Sequence, residues 1–91
     1  MNILLVDDDE IFRKYMSKAL IRRGYKVVCA KDGEEAINIA EGMPFNIAFV
    51  DIKMPNMGGI DVVRGLREID SKMKAIVLTG YGTISNAVDA M

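Results

Sequence analysis

Three carboxylates and one hydroxyl sit at the ends of apolar runs in this chain. Asp7 and Asp8 follow Ile3–Val6, Asp51 follows Asn46–Val50, and Thr79-Gly80 follow Ala75–Leu78. If these runs are parallel strands of one sheet, the four residues meet around one crevice at its carboxyl edge. Carboxylates that converge without a nearby base repel one another and raise at least one pKa. A hard divalent cation resolves that conflict: Mg²⁺ takes one or two protein carboxylates, keeps several waters and completes its shell with phosphate oxygens. In such a place Asp51 can act as a nucleophile on phosphorus. Thr79 offers a hydroxyl to a phosphoryl oxygen, and Gly80 lets the backbone approach closely. The chemistry expected is phosphoryl transfer onto a carboxylate, which needs mainly positioning and charge neutralisation. The added charge can then bias a bistable element through Thr79 and the loop after it. Taken singly, each residue has a plainer role as a helix cap or loop residue. Their joint placement at strand ends favours the shared crevice.

The elements that must position them are legible in the hydrophobic pattern. Four short apolar runs, Ile3–Val6, Lys26–Ala30, Asn46–Val50 and Ala75–Leu78, read as strands. Three are nearly continuous, as in strands covered on both faces of a parallel sheet, and the run with Val27, Val28 and Cys29 reads as an edge. Phe12, Met16 and Leu20, joined by Ala19, give the first helix, with Asp9 as N-cap and Gly24 just past its end. Asp32 and Glu35 form a capping-box pair for a second helix that buries Ala36, Ile37 and Ala40 and stops near Gly42 and Pro44. A third begins after Gly58-Gly59, with Ile60, Val63, Leu66 or Arg67, and Ile69 along one side, and Thr83 could cap a fourth. Pro55 and the two glycines read as turn chemistry. Alternating strands and helices imply right-handed crossovers and an α/β doubly wound parallel sheet of the flavodoxin-like kind. Strand order 2-1-3-4 sets the first and third strands together at a switch point, where ligands bind outside the carboxyl ends.

Composition narrows the function further. With 91 residues, half of them apolar, the chain is a single domain. A net charge of −1 argues against direct nucleic-acid or membrane binding by this segment. The lone Cys29 permits no internal disulfide and suits the cytoplasm, and one Cys without His makes zinc a poor fit. The absence of His also removes any phosphohistidine role. There is no GxGxxG or GxxxxGK, which argues against a nucleotide- or flavin-binding doubly wound domain.

Ile3-Leu4-Leu5-Val6-Asp7-Asp8-Asp9-Glu10, then Val50-Asp51-Ile52-Lys53-Met54-Pro55-Asn56-Met57-Gly58-Gly59, then Val77-Leu78-Thr79-Gly80, resemble the receiver domains of two-component response regulators. The resemblance extends from Met1 to Met91 and implies a regulatory phospho-acceptor domain, not an enzyme beyond its own phosphorylation. It implies Asp51 as phospho-acceptor, Asp8 as direct Mg²⁺ ligand, Asp7 acting through water, the Lys53 backbone carbonyl as a further ligand, and Thr79 as switch hydroxyl. The implied partners are a sensor histidine kinase or phosphotransfer protein and an output domain in the parent chain. The Thr79–Thr83 loop is similar to that of receivers attached to transcription activators.

Two departures from the family pattern stand out. Gly58 occupies a position that is usually Asp. The family's fifth strand, which ends in a Lys, and its fifth helix do not occur before Met91, so the domain at 1–91 reads as C-terminally incomplete. The fourth strand is then expected to be an open edge beside a partly bare sheet face, favouring self-association. Two other functions compete. A degenerate receiver would serve only as an interaction or dimerisation module. A haloacid-dehalogenase-like phosphatase would use Asp7 as nucleophile and Asp9 as the second acid, with Thr79 imitating its second motif.

Overall fold

The structure, a computed structural model, describes residues 1–78. Thr79, Gly80 and Thr83 lie outside the described residues. The order is β1 (Asn2–Val6), α1 (Glu10–Arg22), β2 (Lys26–Ala30), α2 (Gly33–Gly42), β3 (Ile47–Asp51), α3 (Gly59–Ile69) and β4 (Lys74–Leu78). All pairings are parallel and the strand order is β2-β1-β3-β4, as the sequence predicts. Asp51 is itself the last residue of β3. Ahead of that strand, Asn46 fixes the start of the β1–β3 ladder. Its side-chain oxygen accepts from the Asn2 N–H at 2.8 Å, and its own N–H donates to the Asn2 carbonyl at 2.9 Å.

Successive strand residues face opposite sides, so the sheet builds two cores. Leu4, Val6, Ala48 and Val50 pack with Ala36, Ala40, Val62 and Leu66 beneath α2 and α3. Ile3, Leu5, Phe49, Ile76 and Leu78 pack with Met16 and Leu20 of α1 on the other side. Ile76 and Leu78 are buried, so the bare face expected around the fourth strand is not seen at these residues. At the β2 edge Val27, Val28 and Cys29 are half-buried, as their modest hydrophobicity suggests.

Local chemistry explains the helix ends. Asp9 caps α1 through Oδ1, which accepts from the N–H groups of Ile11 at 2.9 Å and Phe12 at 3.1 Å. That helix stops in a Schellman turn: Tyr25 N–H reaches the Leu20 carbonyl, Gly24 N–H reaches that of Ile21, and Gly24 takes φ +91°. Asp32 accepts from Glu35 N–H at 2.8 Å to start α2. The return bond differs from a standard capping box, because Glu35 takes the N–H of Lys31 rather than that of Asp32.

Two expectations about helix faces are corrected. Ala19 is exposed, because α1 meets the sheet through buried Met16 and Leu20 with half-buried Phe12 beside them. In α3 the buried stripe is Gly59, Val62 and Leu66, while Ile60 and Ile69 face solvent and Val63 is half-buried. Gly59 sets that rotation. A Cβ there would lie 2.5 Å from the Asp51 carbonyl oxygen and 2.7 Å from the Ile52 Cα, so the helix start sits directly on the end of β3. Residues three and seven places on then turn inward with it.

Neighbouring Gly58 is different in kind: it is the N-cap of α3, makes no side-chain cap, and has its nearest obstacle to a Cβ 4.0 Å away. Gly58→Ser is therefore expected to raise stability by a few tenths to about 1 kcal/mol by supplying the missing cap. Gly59→Ala is expected to lower it by about 1–3 kcal/mol by forcing α3 off the strand. Urea unfolding of both variants checks the contrast.

Candidate functional site

The carboxyl ends of β1 and β3 are flush, with Val6 opposite Val50, so the residues that follow emerge side by side. The backbone turns abruptly after β1. Asp7 N–H still donates to the Ala30 carbonyl at 3.1 Å, while its Oδ1 accepts from Asp9 N–H at 2.9 Å. Asp7 is thereby drawn into the sheet end and is only 7% exposed; Asp8 is left exposed and Asp51 half-buried. One carboxylate oxygen from each of Asp7, Asp8 and Asp51 lies within 4.8 Å of the others. The three acids expected to converge lie together.

Their electrostatics are those of a site short of positive charge. Burial pushes the Asp7 carboxyl up to about 6, the charges of Asp51, Asp8 and Asp9 push in the same direction, and the Asp9 N–H bond partly opposes them. Asp51 is also raised, first by burial and then by the Asp8 carboxylate, against the lowering effect of the Lys53 N–H and the Asp7 side chain. The Lys53 N–H donates to Asp51 Oδ1 at 3.1 Å, and the Lys53 side chain points to solvent. Three oxygen donors of negative charge suit a hard cation such as Mg²⁺ or Ca²⁺ and give nothing to a metal that favours sulfur or imidazole. The residues present fit the cation that the sequence implied.

The same geometry weakens the phosphatase alternative. Asp9, its second acid, is occupied in capping α1, and Asp51 lies in the cluster rather than apart from it. Two further residues shape the site and escaped the sequence reading. Arg13 Nη1 donates to the Asp7 carbonyl at 2.6 Å. Gly59 brings the α3 N-terminus onto the Asp51 peptide. Arg13 leaves a trace in sequence, a cation in the first turn of a helix where the dipole disfavours it. Gly59 cannot be told from Gly58 until the packing is known.

A family model described as response regulator receiver domain matches residues 3–91. The chain belongs to the response regulator receiver family. Its fold and regulatory role follow from that membership, and it is a phospho-acceptor signalling domain. Among relatives of this receiver, the photosynthetic apparatus regulatory protein RegA of Cereibacter sphaeroides is 42% identical over 90 residues, covering 99% of this chain and 49% of RegA. The chain thus spans about half the length of that regulator. A Burkholderia pseudomallei response regulator, solved with a phosphorylated aspartic acid, a calcium ion and citrate, is 35% identical with a TM-score of 0.83, covering 98% of this chain and 52% of that one. TrrA of Thermotoga maritima, solved with Mg²⁺ and BeF, is 32% identical with a TM-score of 0.83 over 88% of this chain and 70% of that one. A complex of the histidine kinase ThkA with TrrA also matches, at 32% identity and a TM-score of 0.82 over 90% and 71% of the two chains. No helix among the described residues is long and apolar enough to cross a membrane.

The raised Asp7 carboxyl gives the metal-free receiver a pH dependence of definite sign. Between its ordinary value near 3.8 and about 6, the folded state holds a proton that the unfolded chain releases. Stability from this group is therefore highest at low pH and declines as pH rises through that window. Asp7→Asn should remove the decline and stabilise the metal-free protein at pH 7 by on the order of 1–2 kcal/mol. Urea denaturation from pH 4 to 7.5 in the presence of EDTA checks both.

Proposed function

We propose that Asp51 receives the phosphoryl group, with Mg²⁺ held directly by Asp8, Asp51 and the Lys53 carbonyl and through water by Asp7. The observation that carries this reading is the convergence of the three carboxylates on one point. When bound, the cation neutralises the carboxylate charge and the oxygens of the incoming phosphoryl group. The Lys53 N–H holds Asp51 Oδ1, which leaves Oδ2 to attack phosphorus. The new O–P bond forms as the bond from phosphorus to the donor's leaving atom breaks, a histidine nitrogen in a kinase or phosphotransfer protein and an acyl oxygen in a small acyl phosphate. Thr79 serves as the hydroxyl that meets the phosphoryl oxygens and passes the change onward.

The donor in this reading is a sensor histidine kinase, supported by the likeness to a receiver solved with its kinase. An output segment acting on transcription belongs to the same reading, in keeping with the likeness to a regulatory protein about twice as long, as does a cytoplasmic location, which the lone Cys29 suits. Pairing of a second copy along β4, the outermost strand on that side of the described sheet, completes it.

Incubation with acetyl phosphate and Mg²⁺ should add one phosphoryl group, placed on Asp51 by tandem mass spectrometry. Asp51→Asn should abolish it, EDTA should prevent it, and Asp8→Asn should slow it at least about tenfold. A label on Asp7 instead would support the phosphatase. A folded but unlabelled protein would leave an interaction module.

A further inference from the structure

Arg13 is out of place by the rules of helix stability. It is the fourth residue of α1, within the first turn or so, where the aligned peptide dipoles present positive charge and a cation is disfavoured. Fixing its long side chain also costs rotamer freedom. Yet its guanidinium is part-buried and committed: Nη1 donates to the Asp7 carbonyl at 2.6 Å, in the short range of charge-assisted hydrogen bonds. The reach is natural, because side chains on a helix lean toward its N-terminus. Its main chain works on the same loop, with Arg13 N–H donating to the Asp9 carbonyl at 3.0 Å.

The identity of the acceptor matters most. Three carboxylates converge beside this arginine, but its hydrogen bond goes to a backbone oxygen. Carboxylate oxygens that a cation needs are left free of a competing guanidinium. The peptide that Arg13 grips joins Asp7 to Asp8. Asp7 N–H is already fixed to Ala30 and its Oδ1 to Asp9 N–H, so the bond from Arg13 pins the remaining main-chain polar group of that residue. Asp8 is exposed and packs against little, so the direction of its carboxylate depends on that peptide plane.

We infer that Arg13 is a positioning residue for cation binding, which locks the Asp7–Asp8 peptide so that the exposed Asp8 carboxylate faces Asp51. This rests on the reading of the acidic cluster as a Mg²⁺ site. Removing the lock leaves the ligands intact but lets Asp8 sample directions in which it shares no cation, so affinity falls while the fold persists. Partners that orient metal ligands from outside the coordination shell typically contribute about 10–100-fold in affinity. Because Arg13 acts on a backbone group by donation, a lysine can recover part of the effect and an apolar side chain of equal length cannot.

Isothermal titration of the full chain with Mg²⁺ tests this in wild type, Arg13→Met, Arg13→Lys and Asp8→Asn, each paired with urea unfolding in EDTA. Expected is an affinity loss of about tenfold in Arg13→Met, a smaller loss in Arg13→Lys, and metal-free unfolding midpoints close to wild type. In amide NMR of the metal-free protein, the Asp8 and Asp9 signals should broaden or shift in Arg13→Met while those of the β-strands stay in place. Mg²⁺ binding within twofold of wild type in Arg13→Met overturns the inference. So does an Arg13→Lys variant no better than Arg13→Met. If Arg13→Met does not fold, Arg13→Lys against wild type carries the test, and unchanged affinity there refutes it. Wild-type protein that binds no Mg²⁺, or an Asp8→Asn variant that binds as well as wild type, would instead overturn the underlying reading of the cluster.

Discussion

Mutual repulsion among Asp7, Asp8 and Asp51 is the constraint around which this molecule is organised. One carboxylate oxygen from each lies within 4.8 Å of the others with no counter-charge beside them among the described residues, and the raised carboxyls of Asp7 and Asp51 register burial first and this repulsion behind it. Among the described residues no ion pair relieves the repulsion. The fold uses neutral backbone N–H donors, from Asp9 onto Asp7 and from Lys53 onto Asp51. Amide dipoles soften the charge without cancelling it, so the site keeps its demand for a cation and for the oxyanions that accompany one.

Holding that arrangement takes a rigid base. Leu4, Leu5, Val6 and Val50 behind the acids are fully buried, and each such side chain contributes about 1.5–3 kcal/mol on burial. The loops on top are short and tied back to the sheet: Asp9 starts α1 immediately after the acidic pair, and Gly59 seats α3 on the last peptide of β3. Met54 and Met57 turn inward from the β3–α3 loop and join the core under α2 and α3. Between them Asn56 takes φ +71°, which Asn tolerates better than most residues.

Much of this was legible in the amino-acid order because local and global signals agree. The strand order, the Asp9 and Asp32 caps, the Gly24 terminus and the meeting of the three acids all follow from short apolar runs that end in carboxylates. The α3 face was not legible. Ile60, Val62, Val63, Leu66 and Ile69 make an apolar face about half the helix wide, so period alone does not say which part of it is buried, and a backbone contact at Gly59 decides it. Arg13 was hidden for a related reason: its partner is a carbonyl, which every residue carries. Sequence patterns reveal side chains that meet side chains far better than side chains that meet the main chain.

The flush register of β1 and β3 reaches beyond the geometry of one crevice. Because Asp7 and Asp51 emerge at the same height from adjacent strands, their separation is inherited from the ladder and owes little to what decorates the outer helices. The solvent sides of α1, α2 and α3 are consequently free to diverge. A change on those outer faces leaves the spacing of the acids where the ladder put it.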